Sequence, residues 1–166
     1  MFTGTTNFIL NDMLQHGCAF AESLEKAQTK GIAEPDSSFD VDGWDTAAKI
    51  TILANTVLGA DIKIQDIPRQ GIGHVTPDHI RDWKKENVIP RLVGFIHVKN
   101  QQIETGVELR LVRANHAFAH LQGSQKCIRV LTQEMGEFVV SGGASAPLAT
   151  AAAALKDFEL MLKTGY

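Results

Sequence analysis

Arg91-Leu92-Val93-Gly94-Phe95-Ile96-His97-Val98 and Val107-Glu108-Leu109-Arg110-Leu111-Val112 decide the fold class. In the second stretch Val107, Leu109 and Leu111 alternate with Glu108 and Arg110, the period of two that gives a strand one apolar face. Lys99 to Gln102 supplies a polar turn between the two stretches. Ile128 to Leu131 and Phe138 to Val140 predict another hairpin, across Glu134-Met135-Gly136-Glu137.

Outward from these strands, toward the N-terminus, the period becomes helical. Thr6 or Asn7 can cap a helix whose Ile9, Leu10, Met13 and Leu14 form one apolar stripe, with Gly17 as its stop. Phe20, Leu24 and Ala27 mark a second helix, carrying a Glu22/Lys26 pair at i,i+4 and ended by Gly31. Ile32 to Gly43 reads as an irregular, acid-rich segment. Trp44 to Leu58 reads as a third helix, apolar nearly all round and so expected to be buried, and closed by Gly59. Thr76-Pro77 is a hydroxyl cap with Pro at the first position, opening a polar surface helix from Asp78 to about Asn87. An Ala-rich helix runs from about Leu148 to Lys163, with Gly165 beyond it. Helices, then strands, then a helix predict an α+β fold, with a mixed or mainly antiparallel sheet covered by helices on one face.

A chain of 166 residues is expected to form a single domain, 1–166. It needs no disulfide or metal staple at that size. Sixteen basic against 19 acidic side chains, a formal charge of -3, argue against a nucleic-acid partner, whose binders carry a basic face. Cys18 and Cys127 are too few and too isolated for a secreted framework and are read as reduced thiols of a cytoplasmic protein. No Lys or Arg precedes Lys26, so no signal peptide is expected. No stretch reaches the roughly 18 apolar residues of a membrane helix; the richest run, Ala144 to Leu155, is mostly Ala. Gly71-Ile72-Gly73-His74-Val75-Thr76 lacks the third glycine of a dinucleotide turn and does not open a helix. Any nicotinamide-binding domain is therefore expected outside these residues.

The chemistry concentrates between Glu34 and Lys49. Glu34, Asp36, Asp40, Asp42 and Asp45 fall within twelve positions that contain no basic residue, and Lys49 follows one helical turn after Asp45. One reading is a solvated helix start, its carboxylates favoured by the dipole and Asp45/Lys49 an exposed pair. A calcium loop fits at Ser38, Asp40, Asp42 and Gly43, but Lys49 stands where a bidentate Glu is required, and its ammonium repels the ion. The third reading is a site for an amino-acid-like substrate, with carboxylates holding an ammonium and Lys49 acting on an oxygen. His116 and His120 stand at i,i+4 without an acidic or thiol neighbour, so no metal site is expected there. His74 and His79 read as structural, and Trp44 as a packing anchor or a cover beside Asp45.

Three stretches together resemble the homoserine dehydrogenase family: Gly4-Thr5-Thr6-Asn7-Phe8-Ile9-Leu10, Ala27-x-x-x-Gly31-Ile32-Ala33-Glu34, and Asp40-Val41-Asp42-Gly43-x-Asp45-x-x-x-Lys49. The resemblance continues through Gly71-Ile72-x-His74-Val75-Thr76-Pro77-Asp78 to Ser141-Gly142-Gly143-Ala144-Ser145 and the Ala-rich helix with Thr150. It implies interconversion of aspartate 4-semialdehyde and homoserine with NAD(P), the cofactor being bound mainly by a domain absent from this chain. Carried over by motif position, Lys49 is the acid/base; Glu34 and Asp45 bind substrate, with Asp40 in support; Gly4 and Thr5 line the site; and Gly142 and Gly143 approach the cofactor. A second lysine and a cation site, which the family places in the nucleotide-binding domain, have no counterpart here. Ser37 departs from the family's usual Pro. The resemblance further implies a homodimer formed through the sheet, with Val107 to Val112 and Phe138 to Val140 as candidate strands, and a separate nucleotide-binding domain as a second partner. The chain alone is then expected to turn over slowly or not at all. The alternative is a non-catalytic amino-acid-binding or dimerisation module of the same descent, which has no need of Lys49.

Overall fold

A computed structural model describes residues 3–122, 125–143 and 147–164. Helix α1 runs from Gly4–His16, α2 from Phe20–Thr29, α3 from Ser38–Val41, α4 from Trp44–Leu58, α5 from Pro77–Lys85 and α6 from Pro147–Thr164. A short 3-10 turn covers Ile64–Asp66. Strands β1 (Val88–Lys99) and β2 (Gln102–Arg113) form one antiparallel ribbon, and β3 (Lys126–Thr132) and β4 (Gly136–Gly142) another. The fold is α+β, as the order of periods predicts.

Most helix ends fall where the sequence sets them. Gly17 and Gly59 close α1 and α4 in left-handed conformations. Thr76 caps α5 by accepting a hydrogen bond from the His79 amide, with Pro77 behind it, and the His79 ring completes a capping box. Glu22 and Lys26 pair across α2 at 3.6 Å. Four expectations are corrected. Helix α1 begins at Gly4, so Thr6 and Asn7 lie inside it and Thr3 takes the preceding position. The acid-rich segment is not wholly irregular, because Ser38–Val41 closes a helical turn, its approach bridged by Asp36 accepting from the Ser38 amide and hydroxyl. Helix α4 buries Thr46, Ala47, Ile50 and Ala54 but leaves Ile52 and Val57 exposed, so it is covered along one stripe only. His116 and His120 lie in turns rather than on a helix, and His116 Nδ1 accepts from the Phe118 amide.

The first ribbon separates two apolar clusters. On one face Leu92 and Val107 pack with Ile9, Leu10 and Met13 of α1 and with Ala47 and Ile50 of α4. Gly94 makes this approach close: a Cβ there would stand 2.6 Å from Ile50 and 2.7 Å from Thr46. On the other face Val93 and Val112 pack with Phe118, Ala119, Leu121 and Cys127. A type I′ two-residue turn needs positive φ at both positions, and Asn100 and Gln101 supply 51° and 63°, setting the register of Lys99 opposite Gln102.

Arg91, 2% exposed, fastens the 114–121 connection to this ribbon. Its Nε donates to Phe118 O, Nη1 to Asn11 Oδ1 and Pro90 O, and Nη2 to Ala119 O and Leu121 O. Burial pulls the guanidinium down to about 10, still charged at neutral pH. Its acceptors are carbonyls and an amide, which spread the charge without a carboxylate. The second ribbon and α6 are covered far less: Val130, Phe138 and Val140 on the strands, and Leu155, Phe158 and Leu162 on the helix, are all exposed.

Candidate active site

The site forms where the start of α1 meets α3 and the first turn of α4. Gly43 permits the meeting. Its φ of 85° turns the chain directly from α3 into α4, and a Cβ there would stand 3.1 Å from Gln70 O. Asp45 and Lys49 then occupy successive turns of α4, and Lys49 Nζ donates to Asp45 Oδ2 at 2.6 Å. The pair is only partly screened from water, with Asp45 22% and Lys49 40% exposed.

Helix α1 adds two hydroxyls. Thr5 donates to Asp40 Oδ2 at 2.5 Å, with Ile32 O a more distant acceptor at 3.1 Å. Thr3 donates to Asp45 Oδ2 at 2.7 Å, and its oxygen lies 3.0 Å from the Thr46 hydroxyl. Thr3 has one proton and gives it to Asp45, so Thr46 donates to Thr3. Asp45 Oδ2 thus carries both the ammonium and a hydroxyl, while Oδ1 accepts no hydrogen bond among the described residues.

Asp40 is the most perturbed acid of the group. Burial raises it above the usual carboxylate range; the Thr5 hydrogen bond works against that rise, Asp45 adds to it, Lys49 lowers it and Glu34 raises it. Asp45, Lys49 and Glu34 thus all act on Asp40, with Gly4 and Thr5 buried nearby at the start of α1. Among the described residues, two carboxylates and one ammonium act on Asp40, an excess of negative charge that one further cation would offset. Glu34 itself is exposed, and its backbone carbonyl is held by Gln28. Trp44 stacks beneath the Arg69 guanidinium at 3.2 Å, at the edge of the site. Gly142 and Gly143 stand at and just beyond the end of β4, and no hydrogen bond among the described residues joins them to Lys49 or Asp45. Ala144 and Ser145 lie outside the described residues, as does Gly165. Among the described residues no three His, Cys, Asp or Glu side chains gather as metal ligands.

Thr3 and Thr46 were not legible as site residues. A hydroxyl just ahead of a helix reads as a cap, and a Thr on an apolar helix face reads as core.

Residues 1–158 match the family model described as homoserine dehydrogenase. The chain belongs to the homoserine dehydrogenase family. It is 36% identical over 160 residues to the homoserine dehydrogenase of Methanocaldococcus jannaschii, covering 95% of this chain and 45% of that protein. It is 32% identical over 158 residues to the NAD(+)-dependent homoserine dehydrogenase of Pseudomonas canavaninivorans, again covering 95% and 45%. The crystal structure of S. aureus homoserine dehydrogenase at pH 6.0 superposes with a TM-score of 0.90 at 29% identity, over 98% of this chain and 41% of that one. The chain therefore spans less than half the length of these relatives. Homoserine dehydrogenases are NAD(P)-dependent oxidoreductases of amino-acid biosynthesis.

Proposed function

We propose that this chain is the substrate-binding and proton-transferring part of a homoserine dehydrogenase that interconverts aspartate 4-semialdehyde and homoserine. The observation that carries this reading is the surplus of carboxylates around Lys49. The amino acid's ammonium is the further cation, bound by Glu34 and by Asp45 Oδ1, with Asp40 in support. Gly4 and Thr5, buried at the start of α1, line the same site. Lys49, oriented by Asp45, gives a proton to the aldehyde oxygen or takes one from the hydroxyl.

The described residues do not fit a dinucleotide. A pyrophosphate favours a helix N-terminus free of acids, and the starts of α1 and α4 both face Asp40 and Asp45. NAD(P) is held, in this reading, mainly by a nucleotide-binding domain outside these 166 residues, with Gly142 and Gly143 as a contact to it. Exposed Leu155, Phe158 and Leu162 on α6 support such a second body. Exposed Val130, Phe138 and Val140 on the second ribbon, and exposed Leu111 within Val107 to Val112 on the first, support dimerisation through the strands.

Calorimetry with homoserine tests the site. Glu34→Ala is expected to weaken binding markedly, while Lys49→Ala retains it and abolishes turnover once a nicotinamide-nucleotide-binding domain is supplied. Unchanged binding and turnover in both variants would remove the assignment.

A further inference from the structure

Thr3 occupies the position before α1, where a Thr side chain ordinarily caps by accepting from an amide of the first turn. It makes no such bond. Thr76 makes such a cap at the start of α5. The Thr3 hydroxyl is instead committed across 42 residues of sequence to Asp45 Oδ2, at 2.7 Å. Thr3 is buried, and Thr46, also buried, fixes the direction of its proton by donating to its oxygen at 3.0 Å. The chain of contacts runs Thr46 to Thr3 to Asp45 Oδ2, with Lys49 Nζ on the same oxygen.

A carboxylate held at one oxygen by a single flexible lysine can turn about its last bond and offer either oxygen. Two donors from different elements remove that freedom. We propose that Thr3 is a positioning residue for the substrate's ammonium: with Lys49 it occupies one oxygen of Asp45 and so presents the other to the ligand. This rests on the homoserine reading of the site. Thr3 need not touch the substrate. It turns Asp45 from a partner of Lys49 alone into a two-sided group, one oxygen for the proton-transferring ammonium and one for the substrate's.

The test compares Thr3→Val and Thr3→Ser by NMR titration with homoserine and with 4-hydroxybutanoate, the same molecule without its amino group. Valine matches threonine in shape and suits the extended backbone at this position (φ −102°, ψ 117°), so the fold is retained. Thr3→Val is expected to weaken homoserine roughly tenfold, the effect of one charge-assisted hydrogen bond, and to leave 4-hydroxybutanoate unchanged. Thr3→Ser restores homoserine to within about twofold. Thr46→Val, which frees the Thr3 proton to turn away, shifts homoserine affinity in the same direction by less. Equal weakening of both ligands in Thr3→Val would show a merely structural role and overturn the proposal, as would unchanged homoserine affinity. Failure of the unsubstituted chain to bind homoserine would remove the homoserine reading and this proposal together, whereas binding that ignores Thr3 would remove this proposal alone.

Discussion

Helix α1 carries a cluster of polar groups at each end, and the two are built on opposite principles. Near its C-terminus Asp12 is buried among donors. Ser23 donates to it at 2.6 Å, the Cys18 thiol and Lys26 each at 3.2 Å, and His16 lies 2.9 Å from its other oxygen. Burial works against the charge, but the hydrogen bonds from Ser23, Cys18 and Lys26 outweigh it and hold the carboxyl at about 2. At the N-terminus Asp40 has one hydroxyl, from Thr5, and two acidic neighbours, and burial raises it. One end of the helix closes its charge account internally and joins α1 to α2. The other is left, among the described residues, with more negative charge than its donors offset. Binding sites often carry such local strain, held in place by a well-packed surround.

The sharpest way to break this contrast is at Lys49. Lys49→Met is expected to lower turnover by about 100-fold to 10,000-fold in the enzyme supplied with its nucleotide domain, the usual range for a lost acid/base. The same change should alter stability by less than about 1 kcal/mol, because the pair is partly exposed. A large loss of stability in urea unfolding would make Lys49 a structural residue like Asp12.

Asp12→Asn should behave in reverse. A carboxyl lowered from 3.8 to about 2 contributes about 2 kcal/mol at neutral pH. That stability is fully present above the unfolded value near 4 and is lost as pH falls toward 2. Urea midpoints measured from pH 7 to pH 2 should fall steeply for the unsubstituted chain below pH 4 and stay nearly flat for Asp12→Asn. Homoserine binding should survive the change.

Asp40→Asn sharpens the comparison through its sign. Because the folded carboxyl is raised, its contribution is present at low pH and is lost as pH rises above the unfolded value through the folded one. Removing the charge should therefore raise the thermal midpoint slightly at neutral pH and weaken homoserine binding. A lower midpoint at pH 7 would place Asp40 among the structural acids.

The smallest expected effect is at Lys26. It is 38% exposed and one of several donors to Asp12, so Lys26→Met should shift the urea midpoint far less than Asp12→Asn does. A loss as large as that of Asp12→Asn would mean that the ammonium, not the buried Ser23 hydroxyl, holds the carboxylate in place.

The sequence carried the local features because their causes act over a few residues. Gly17 and Gly59 stop helices by a backbone conformation available to glycine; Thr76-Pro77 starts one; alternation from Val107 to Leu111 makes a strand. The spacing of Glu34, Asp40, Asp45 and Lys49 was visible for the same reason, and with it the surplus of acid. Expectations failed where a distant partner intervened. Thr3 precedes α1, yet its hydroxyl answers to Asp45. Helix α4 looked buried all round because apolar count does not reveal that the ribbon covers only the stripe facing Gly94. His116 and His120 had helical spacing, but Arg91 gathers the carbonyls around Phe118 to Leu121 into turns.

Sequence by itself thus determined the longer helices, the hairpins and the spacing of the carboxylates and their lysine, since periodicity, caps and like-charge crowding are properties of neighbours along the chain. Tertiary structure alone decided which carboxylate is satisfied and which is not. Asp12 and Asp40 are the same residue type, and they differ because packing delivers Ser23, Cys18 and Lys26 to one, and a single threonine with two acidic neighbours to the other. A hydrogen bond between residues far apart in sequence forms only when the fold brings them within about 3 Å, a distance that no local pattern encodes.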